Sequence, residues 1–555
     1  MIVLLSLLAC THTPPAATEA DDNLAAAAFL TAHEAALAPT ERAMNIAYWE
    51  ATTLGSEEAY QRAAALELDL RRLYSDPATY QQLVGWQRAG LADPLAARQV
   101  ELLRLDFEEN QGDPALLTRM VELSSKIDRS YNVFRGLVGG AEVNTNAISE
   151  VLASSDDSAV RQAHWEASKQ VGPVVAEDLR ELVRVRNTLA QRLGYPDYYH
   201  MRLLQGEQDP AQLQAVLAEL DTLSAAPWAQ VKGALDDELS VRFGLSAEQL
   251  RPWHYADPFF QEAPVTAALD LDGYLADQDI LDLSTRYFSA AGLDVSEVLA
   301  RSDLYPRDGK QPSAFCLDVD RAGDIRVLAN IENNEYWMAT MLHELGHAMY
   351  DRYADPALPY LLRDPAHPFT TEAVAMIFGR QTKQPGWIAQ WTGHAPSPEE
   401  AALIRDTAQL QQLVFVRWAL VMADFERGMY ADPEQDLQAL WWDRVEHYQG
   451  LTRPAGREGQ ADWATKIHLI SAPVYYHNYV LGEMMASQMQ AAIARDVYGD
   501  TDLVEVDLAK PAVGEWFKTR IFTQGTRQPW SALVEQATGE PLTARYFVEE
   551  FLSEG

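Results

Sequence analysis

Cysteine and basic residues are scarce in this chain of 555 residues, which has two Cys and 44 Lys and Arg against 81 Asp and Glu. So few cysteines exclude a small disulfide-stapled domain, whose fold depends on several bridges. The net charge of −37 repels phosphodiester backbones and anionic lipid headgroups, and no basic stripe offsets it. We therefore expect no nucleic-acid partner and no polybasic docking on membranes.

Long apolar runs are also missing. After the amino terminus, no segment reaches the roughly 18 consecutive apolar residues that indicate a membrane-spanning helix. Material for a core is plentiful, since 48% of the residues are hydrophobic and the chain has 14 Trp, 23 Tyr and 16 Phe. This composition excludes a disordered chain. The body shows no break in composition, which favours one large unit or two interlocked lobes.

The amino terminus carries a pattern typical of lipoproteins. Residues 1–9, MIVLLSLLA, are apolar and precede Cys10, as at the cleavage site of a lipoprotein signal peptide. Residues 11–24 are rich in Pro, Ala and acidic side chains, which predicts a flexible tether. We expect lipidation of Cys10 and anchoring in a bacterial cell envelope, on the periplasmic or outer-membrane side. The alternative is an ordinary hydrophobic start and a cytoplasmic protein, because the positive region of a signal peptide is missing.

The remaining residues, 25–555, are mostly helical in pattern. Apolar residues recur every three or four positions between helix breakers, which predicts an all-α domain. The clearest strand signal lies at 313–331, where two β-prone segments flank a Gly-containing turn at 320–323. We expect a β-hairpin there. Helical patterning returns at Asn334 and continues to the end.

Residues 335–353, EYWMATMLHELGHAMYDRY, predict a helix capped by Asn334. His343 and His347 stand four residues apart on one face, so both imidazoles can reach one metal ion, and Glu344 lies beside them. This is the His-Glu-x-x-His pattern of zinc hydrolases. The alternative interpretation is a pair of hydrogen-bonded core histidines.

A catalytic zinc needs a third protein ligand, and Glu372 follows His347 by 25 residues at the head of the next helical segment. That separation allows a loop and an antiparallel return, although a first-turn glutamate is also favoured by the helix dipole. In such a site zinc polarises the scissile carbonyl, and Glu344 moves a proton from the attacking water to the leaving amine. Donors for the oxyanion are expected downstream, at 466–468 and 475–479, unless those tyrosines are only half-buried helix residues.

Several separated segments resemble the angiotensin-converting enzyme family of zinc dipeptidyl carboxypeptidases, and more distantly the thimet oligopeptidase and oligoendopeptidase families. Besides the zinc motif, the similar segments are Leu358-Pro359 through Glu372-Ala373, Trp441-Trp442, Tyr448-Gln449-Gly450-Leu451, Lys466-x-His468, and Trp165-Glu166 with Gly194-Tyr195 upstream. The resemblance extends with gaps from about residue 25 to 550. It implies a two-lobed helical ellipsoid around a deep channel, with an edge strand that pairs with the substrate. The hairpin at 313–331, with Ala314 near its start, matches that strand.

The resemblance also implies roles for particular residues. It implies one zinc ion per chain, held by the motif histidines and Glu372, with Glu344 as general base. His468 matches the residue that stabilises the transition state, and Tyr479 matches the tyrosine that stabilises the oxyanion. Lys466 and Tyr476 match the pair that holds the C-terminal carboxylate of a peptide, from which the family releases dipeptides.

Two departures affect these expectations near the C-terminal half of the site. The stretch from His468 to the last of the tyrosines is one residue longer than in the family, so the oxyanion donor stays open among Tyr475, Tyr476 and Tyr479. Asn478 stands where the family has an arginine that binds activating chloride. Val445 stands where another such arginine falls, so chloride dependence is in doubt.

Two further departures concern substrate and metal. Gln311 replaces a substrate-binding histidine of the family. Met376 replaces an aspartate that steadies a zinc ligand. These changes leave the metal ligands and the base intact, but they can weaken binding or shift specificity.

The sequence therefore predicts a zinc metallopeptidase of short peptides, releasing dipeptides from their C-termini. One alternative is an oligoendopeptidase that does not read the free C-terminus. Another is a non-catalytic lipoprotein that binds peptides on the same scaffold. Because all four residues of the metal motif are intact, we favour the enzyme.

Overall fold

The computed structural model describes residues 19–264, 269–311, 313–500 and 505–552. Cys10 and the first part of the expected tether, 11–18, lie outside the described residues, so lipidation and the tether there stay predictions. The first helix, α1, spans Glu19–Leu54, so residues 19–24 are helical rather than part of a tether. The segment is rich in alanine, and Ala26 and Leu30 are buried, so propensity and packing both favour the helix.

The described residues form 22 α-helices. After α1, the amino-terminal half contains α2 (Glu57–Leu73), α3 (Pro77–Ala89), α4 (Pro94–Glu109), α5 (Pro114–Val133), α6 (Thr145–Ser154), α7 (Ser158–Lys169), α8 (Gly172–Arg192), α9 (Tyr198–Gln205), α10 (Pro210–Phe243), α11 (Ile280–Ala290) and α12 (Ser296–Arg301). The carboxyl-terminal half contains α13 (Glu335–Arg352), α14 (Pro368–Gly379), α15 (Pro385–Thr392), α16 (Pro398–Ala431), α17 (Leu437–Gln449), α18 (His468–Ser471), α19 (His477–Ile493), α20 (Pro511–Arg520), α21 (Trp530–Thr538) and α22 (Arg545–Phe551). The prediction of an all-α fold is confirmed.

Two short antiparallel hairpins complete the described secondary structure. Strands β1 (Gly136–Val138) and β2 (Ala141–Val143) form the first, and β3 (Phe315–Asp318) and β4 (Ile325–Leu328) form the second. The second hairpin was predicted, and Phe315 pairs with Leu328 in it. The first was missed because its strands are too short to show alternation, although Gly139 and Gly140 supply the positive φ angles of a tight turn.

The described residues bury two hydrophobic cores. The main core extends from α5 to the end of α22 and includes the whole apolar face of α13. A smaller core joins α1, α3 and α4 to the turn at 360–362. The two-lobed ellipsoid and the deep channel stay predictions. No described helix combines the length and the apolar content that crossing a bilayer requires.

Three helices and one strand position the site. Helix α13 packs on α14, α14 packs on α19, and β3 lies against α13. The α14–α19 contact is close, since a Cβ atom built on Gly482 would lie 3.1 Å from Sδ of Met376 and 3.4 Å from Cβ of Glu372. A glycine therefore allows α19 to approach the turn of α14 that carries Glu372.

Candidate metal centre

Helix α13 presents its two motif histidines because its opposite face is fixed in the core. The helix begins after Asn334, whose side chain accepts a hydrogen bond from the backbone N–H of Trp337 at 2.9 Å. Met338, Leu342 and Leu345 are fully buried. Since residues four apart share a helix face, this packing turns His343 and His347 together toward α14.

A glycine brings α14 close enough to supply a third ligand. A Cβ atom built on Gly346 would lie 2.9 Å from Cα of Ala375 and 3.2 Å from the carbonyl oxygen of Val374. Such distances leave no room for a side chain between the two helices. The close approach places Glu372 opposite the histidine pair.

The donor atoms of the three residues converge. Nε2 of His343 lies 3.2 Å from Nε2 of His347, and Oε2 of Glu372 lies 3.6 Å and 3.9 Å from these two nitrogens. Ligands of a tetrahedral zinc ion at ~2.1 Å are separated by about 3.4 Å. The three side chains form the only group able to hold a metal ion that was found among the described residues. Their donor set and spacing fit zinc.

The surroundings of the three side chains set their protonation and orientation in ways that suit metal binding. Burial lowers the pKa of His343 to about 4 and that of His347 to about 3, so both rings are neutral and able to bind a cation near pH 7. Nδ1 of His347 hydrogen-bonds to Oγ1 of Thr371 at 2.7 Å, which orients the ring with Nε2 toward Glu372. Burial, together with the neighbouring Glu483, raises the pKa of Glu372 to about 7, and a cation would offset this repulsion.

Glu344 lies beside the triad and is only 7% exposed. Burial and the charge of Glu372 raise its pKa to about 8, while a hydrogen bond from the backbone of Cys316 opposes that rise. Cys316 is part of β3, so the strand touches the predicted general base directly. Within the described residues β3 has a strand partner only in β4, which leaves its other edge without a paired strand. Ala314, which is partly buried, comes directly before this strand.

The predicted oxyanion cluster assembles at the start of α19. The ring of Tyr479 lies 5.3 Å from that of Tyr475 and 5.4 Å from that of Tyr476, and the ring of His468 lies 5.2 Å from that of Tyr476. The charge of Glu372 contributes to the raised pKa of both Tyr475 and Tyr479, whereas it does not act on Tyr476. The charge of Glu372 therefore reaches the hydroxyls of Tyr475 and Tyr479, whereas the Tyr476 hydroxyl accepts a hydrogen bond from Trp418.

His468 has one ring nitrogen that pairs with no described residue. Its Nδ1 atom is buried and has no hydrogen-bond partner in the described part of the chain. Burial, with the nearby Lys466, lowers its pKa to about 4, so the ring is neutral near pH 7. A buried unpaired nitrogen is costly, by about 1–3 kcal/mol, unless a ligand or water completes it.

Lys466 lies in a largely aromatic pocket that shares Tyr476 with the tyrosine cluster. Nζ of Lys466 donates to Oε1 of Gln261 at 2.5 Å and lies 4.8, 5.1 and 5.7 Å from the ring centres of Phe259, Trp418 and Tyr476. Nε1 of Trp418 donates to the Tyr476 hydroxyl at 2.6 Å. Sequence reasoning missed Gln261, which belongs to an irregular loop and carries no motif.

Comparison with known proteins agrees with this geometry. The family described as angiotensin-converting enzyme, a peptidase family, matches residues 20–240 and 251–551. The chain belongs to this family.

Relatives of the chain are distant in sequence. It is 22% identical to carboxypeptidase 1 of Bacillus subtilis over 253 residues, which are 41% of this chain and 49% of that protein. It is 22% identical to the angiotensin-converting enzyme-like protein Ace3 of Mus musculus over 426 residues, which are 71% of this chain and 57% of that protein. Thermostable carboxypeptidase 1 of Pyrococcus furiosus is also 22% identical, over 40% of this chain and 49% of that protein. The chain thus spans about half the length of the curated relatives it matches.

The two positions at which the resemblance predicts loss of a chloride-binding arginine carry packed, uncharged residues. Asn478 is 5% exposed, and its Oδ1 accepts a hydrogen bond from Nε2 of Gln208 at 2.8 Å. Val445 is 4% exposed in the core beside Trp441 and Trp442. The Met376 side chain, in place of the family's aspartate, lies against Gly482, and the charge acting on Glu372 comes instead from Glu483.

Gly346→Ala tests the close helix contact under the site. Although alanine favours a helix by ~1 kcal/mol over glycine, its Cβ would lie 2.9 Å from the backbone of Ala375. Overpacking of this kind costs about 1–3 kcal/mol, so we expect a lower thermal midpoint and weaker metal binding. Gly233→Ala in α10 is the matched control, because a Cβ there would meet nothing within 4 Å and should stabilise slightly. Equal midpoints for the two variants would contradict the close contact.

Proposed function

We propose that this chain is a zinc peptidase that removes dipeptides from the C-termini of short peptides. The observation that carries the proposal is the convergence of two imidazoles and one carboxylate, with the buried carboxylate of Glu344 beside them. Zinc accepts this ligand set readily, because imidazole nitrogens and a carboxylate oxygen suit a borderline cation. When bound, zinc polarises a peptide carbonyl and activates a water molecule.

The protein's own side chains perform the proton transfers. Glu344 accepts the proton of the attacking water and delivers it to the leaving amine. Its buried position beside the predicted metal ligands suits a group that must both accept and donate a proton. Hydrogen bonding from Cys316 holds the carboxylate next to β3, along whose open edge we place the substrate backbone. Tyr479 or Tyr475 donates to the developing oxyanion, and His468 presents Nδ1 to the same region.

Action at a free C-terminus is supported by the pocket around Lys466. A buried ammonium beside an amide and a phenol is suited to a carboxylate, which accepts charge-assisted hydrogen bonds. Within the described residues, Nζ of Lys466 donates to Gln261 and lies near three aromatic rings. Two of the three relatives are named carboxypeptidases, and this agrees with action at the C-terminal end of a peptide.

The direct test is the set of products from defined peptides. Purified protein reconstituted with zinc should release dipeptides from N-acetylated pentapeptides, as detected by mass spectrometry. The same peptides with amidated C-termini should be cleaved poorly. Efficient internal cleavage of both forms would instead identify an oligoendopeptidase. Release of single C-terminal residues would identify a carboxypeptidase that removes one amino acid at a time. Binding without cleavage of either form would identify a peptide-binding protein.

The preference for a free C-terminus should depend on pH. Burial lowers the pKa of Lys466 to about 8, while Asp257 and Glu262 partly oppose this shift. The ammonium is therefore present below pH 8 and is lost above it, so KM for the free-acid peptide should rise between pH 7 and 9. The measurement is the ratio of kcat/KM for the free-acid and amidated forms of N-acetylated peptides. Titration of the catalytic groups affects both values equally and so does not change this ratio. A ratio that is constant over this range would contradict the role of Lys466.

A further inference from the structure

A buried carboxylate organises the loop that forms one side of the Lys466 pocket. Asp257 is 6% exposed. Its Oδ1 accepts the backbone N–H of Phe259 at 2.8 Å, and its Oδ2 accepts those of Gln261 and Glu262, each at 2.9 Å. One side chain therefore fixes three of the five peptide groups that follow it.

The same loop is held from outside by two helices. Nζ of Lys169, at the end of α7, donates to the carbonyl of Pro258 at 2.8 Å. Nε2 of Gln449, at the end of α17, donates to the carbonyl of Phe259 at 3.1 Å and to that of Phe260 at 2.7 Å. Carbonyl and N–H groups of the loop are thus bound on both sides by buried partners.

The loop contains a strained residue. Phe260 adopts φ of 52°, in the left-handed region that a bulky side chain rarely occupies. Such a conformation persists only where the surroundings determine it, and it is concentrated at functional sites. The hydrogen bonds of Asp257 and Gln449 surround this residue on both sides, so they are the contacts that maintain it.

The held conformation presents two groups to the pocket. The Gln261 side chain accepts the hydrogen bond from Lys466, and the Phe259 ring lies between two ammonium groups, with Nζ of Lys169 at 3.8 Å and Nζ of Lys466 at 4.8 Å from its centre. A loop that relaxed around Phe260 would move both groups away from Lys466. The position of the Lys466 ammonium therefore depends on the loop.

We propose that Asp257 is a positioning residue which, through the three N–H groups of its loop, holds Gln261 and Phe259 around Lys466 and thereby sets the preference for peptides with a free C-terminal carboxylate. This inference rests on the proposed function, because it concerns the carboxylate pocket of the same enzyme. Asp257 does not contact the substrate or the metal ligands. Its effect reaches the peptide through Gln261 and Lys466.

Asp257 also acts on the proton of Lys466. The charged groups around that ammonium are Asp257 and Glu262 from the loop, Lys169 from α7 and His468 from α18 when it is protonated. Of these, Asp257 contributes most to keeping Lys466 protonated. Neutralising Asp257 should therefore lower the pKa of Lys466 and shift the alkaline rise in KM to lower pH. A residue that served only the overall fold would not produce this shift.

The test uses Asp257→Asn in the full-length zinc protein, since asparagine keeps the size of the side chain but replaces one acceptor with a donor. We expect KM for an N-acetylated free-acid pentapeptide to rise about tenfold, as for the loss of one well-placed interaction of about 1.4 kcal/mol. We expect kcat to stay within twofold, and KM for the amidated peptide to be unchanged. The alkaline rise in KM should move to lower pH, because the negative charge that helps to keep Lys466 protonated is removed.

Two further variants keep the result interpretable. Asp303→Asn is the control, because Asp303 is a partly buried acid that accepts hydrogen bonds from Arg307 and Lys310 and has no hydrogen bond to the loop. It should lower thermal stability without changing the acid-to-amide ratio. If Asp257→Asn does not fold, Lys169→Met removes the hydrogen bond to Pro258 and should lower the ratio in the same direction.

The outcomes separate this inference from the proposed function. If the wild-type protein prefers the free acid and Asp257→Asn keeps that ratio and its pH dependence, the positioning role of Asp257 is wrong. If the wild-type protein already cleaves the free-acid and amidated peptides equally, the proposed recognition of a free C-terminus is wrong. The inference about Asp257 is then wrong as well. If Asp303→Asn changes the ratio as much as Asp257→Asn, the effect is a general loss of rigidity and the inference is overturned.

Discussion

Glu344→Gln is expected to lower kcat by about 10²–10⁴-fold, the range that general acid–base catalysis contributes. Glutamine has the same shape and can still accept the hydrogen bond from Cys316, but it cannot take up a proton. The metal ligands are untouched, so zinc should remain bound at one ion per chain. Rates with an N-acetylated free-acid peptide and metal content by elemental analysis give the two measurements.

A matched control for this variant is Glu399→Gln. Glu399 is an exposed glutamate in the first turn of α16, so the same change of charge is made on the protein surface. Its kcat should stay within twofold of the wild-type value. Equal rates for Glu344→Gln and the wild-type protein would reject the proposed mechanism, and loss of zinc in Glu344→Gln would show that the carboxylate has a structural role instead.

Removal of the third ligand should have the largest effect on metal binding. Glu372→Gln is expected to weaken zinc binding by more than about 100-fold, because even partners one shell beyond the ligands are worth 10–100-fold. The charge of the site also changes, since the carboxylate is the only anionic member of the triad. Competition with a chelator of known affinity measures the dissociation constant.

Thr371→Val provides the intermediate step in the same series. It removes the hydroxyl that hydrogen-bonds Nδ1 of His347 but keeps all three ligands. We expect weakening of about 10–100-fold, so the order of affinity should be wild type, Thr371→Val, Glu372→Gln. Because bound zinc stabilises by about 2.7 kcal/mol at a hundredfold excess over its dissociation constant, thermal midpoints with zinc should follow the same order. Equal affinities for wild type and Glu372→Gln would remove Glu372 from the site.

Helices and the metal ligands were predictable because their signals are local or repeated. The apolar stripe of α13 and its Asn334 cap lie within one stretch of sequence, and the i, i+4 spacing alone puts His343 and His347 on one face. The hairpin of β3 and β4 was predictable for the same reason. The choice of Glu372 as third ligand needed further evidence, because a glutamate in the first turns of a helix is common. The resemblance to the family supplied that evidence.

The surroundings of the site were not predictable from such signals. Gln261 lies 205 residues before Lys466, in an irregular loop without a motif, and only the fold brings the two together. The oxyanion donor was open among three tyrosines because all three occur within five residues. The tertiary structure separates Tyr476, whose hydroxyl accepts a hydrogen bond from Trp418, from Tyr475 and Tyr479, on which the charge of Glu372 acts.

By itself, the amino-acid sequence determined the helical class and the family and predicted the metal ligands, because helix periodicity and side-chain chemistry are properties of short segments. Tertiary structure alone decided how close the donor atoms come and which buried acid holds the Lys466 loop. Those features depend on contacts between residues far apart in the chain, such as Gly346 against Ala375. Close packing sets these distances, and packing is a property of the whole fold.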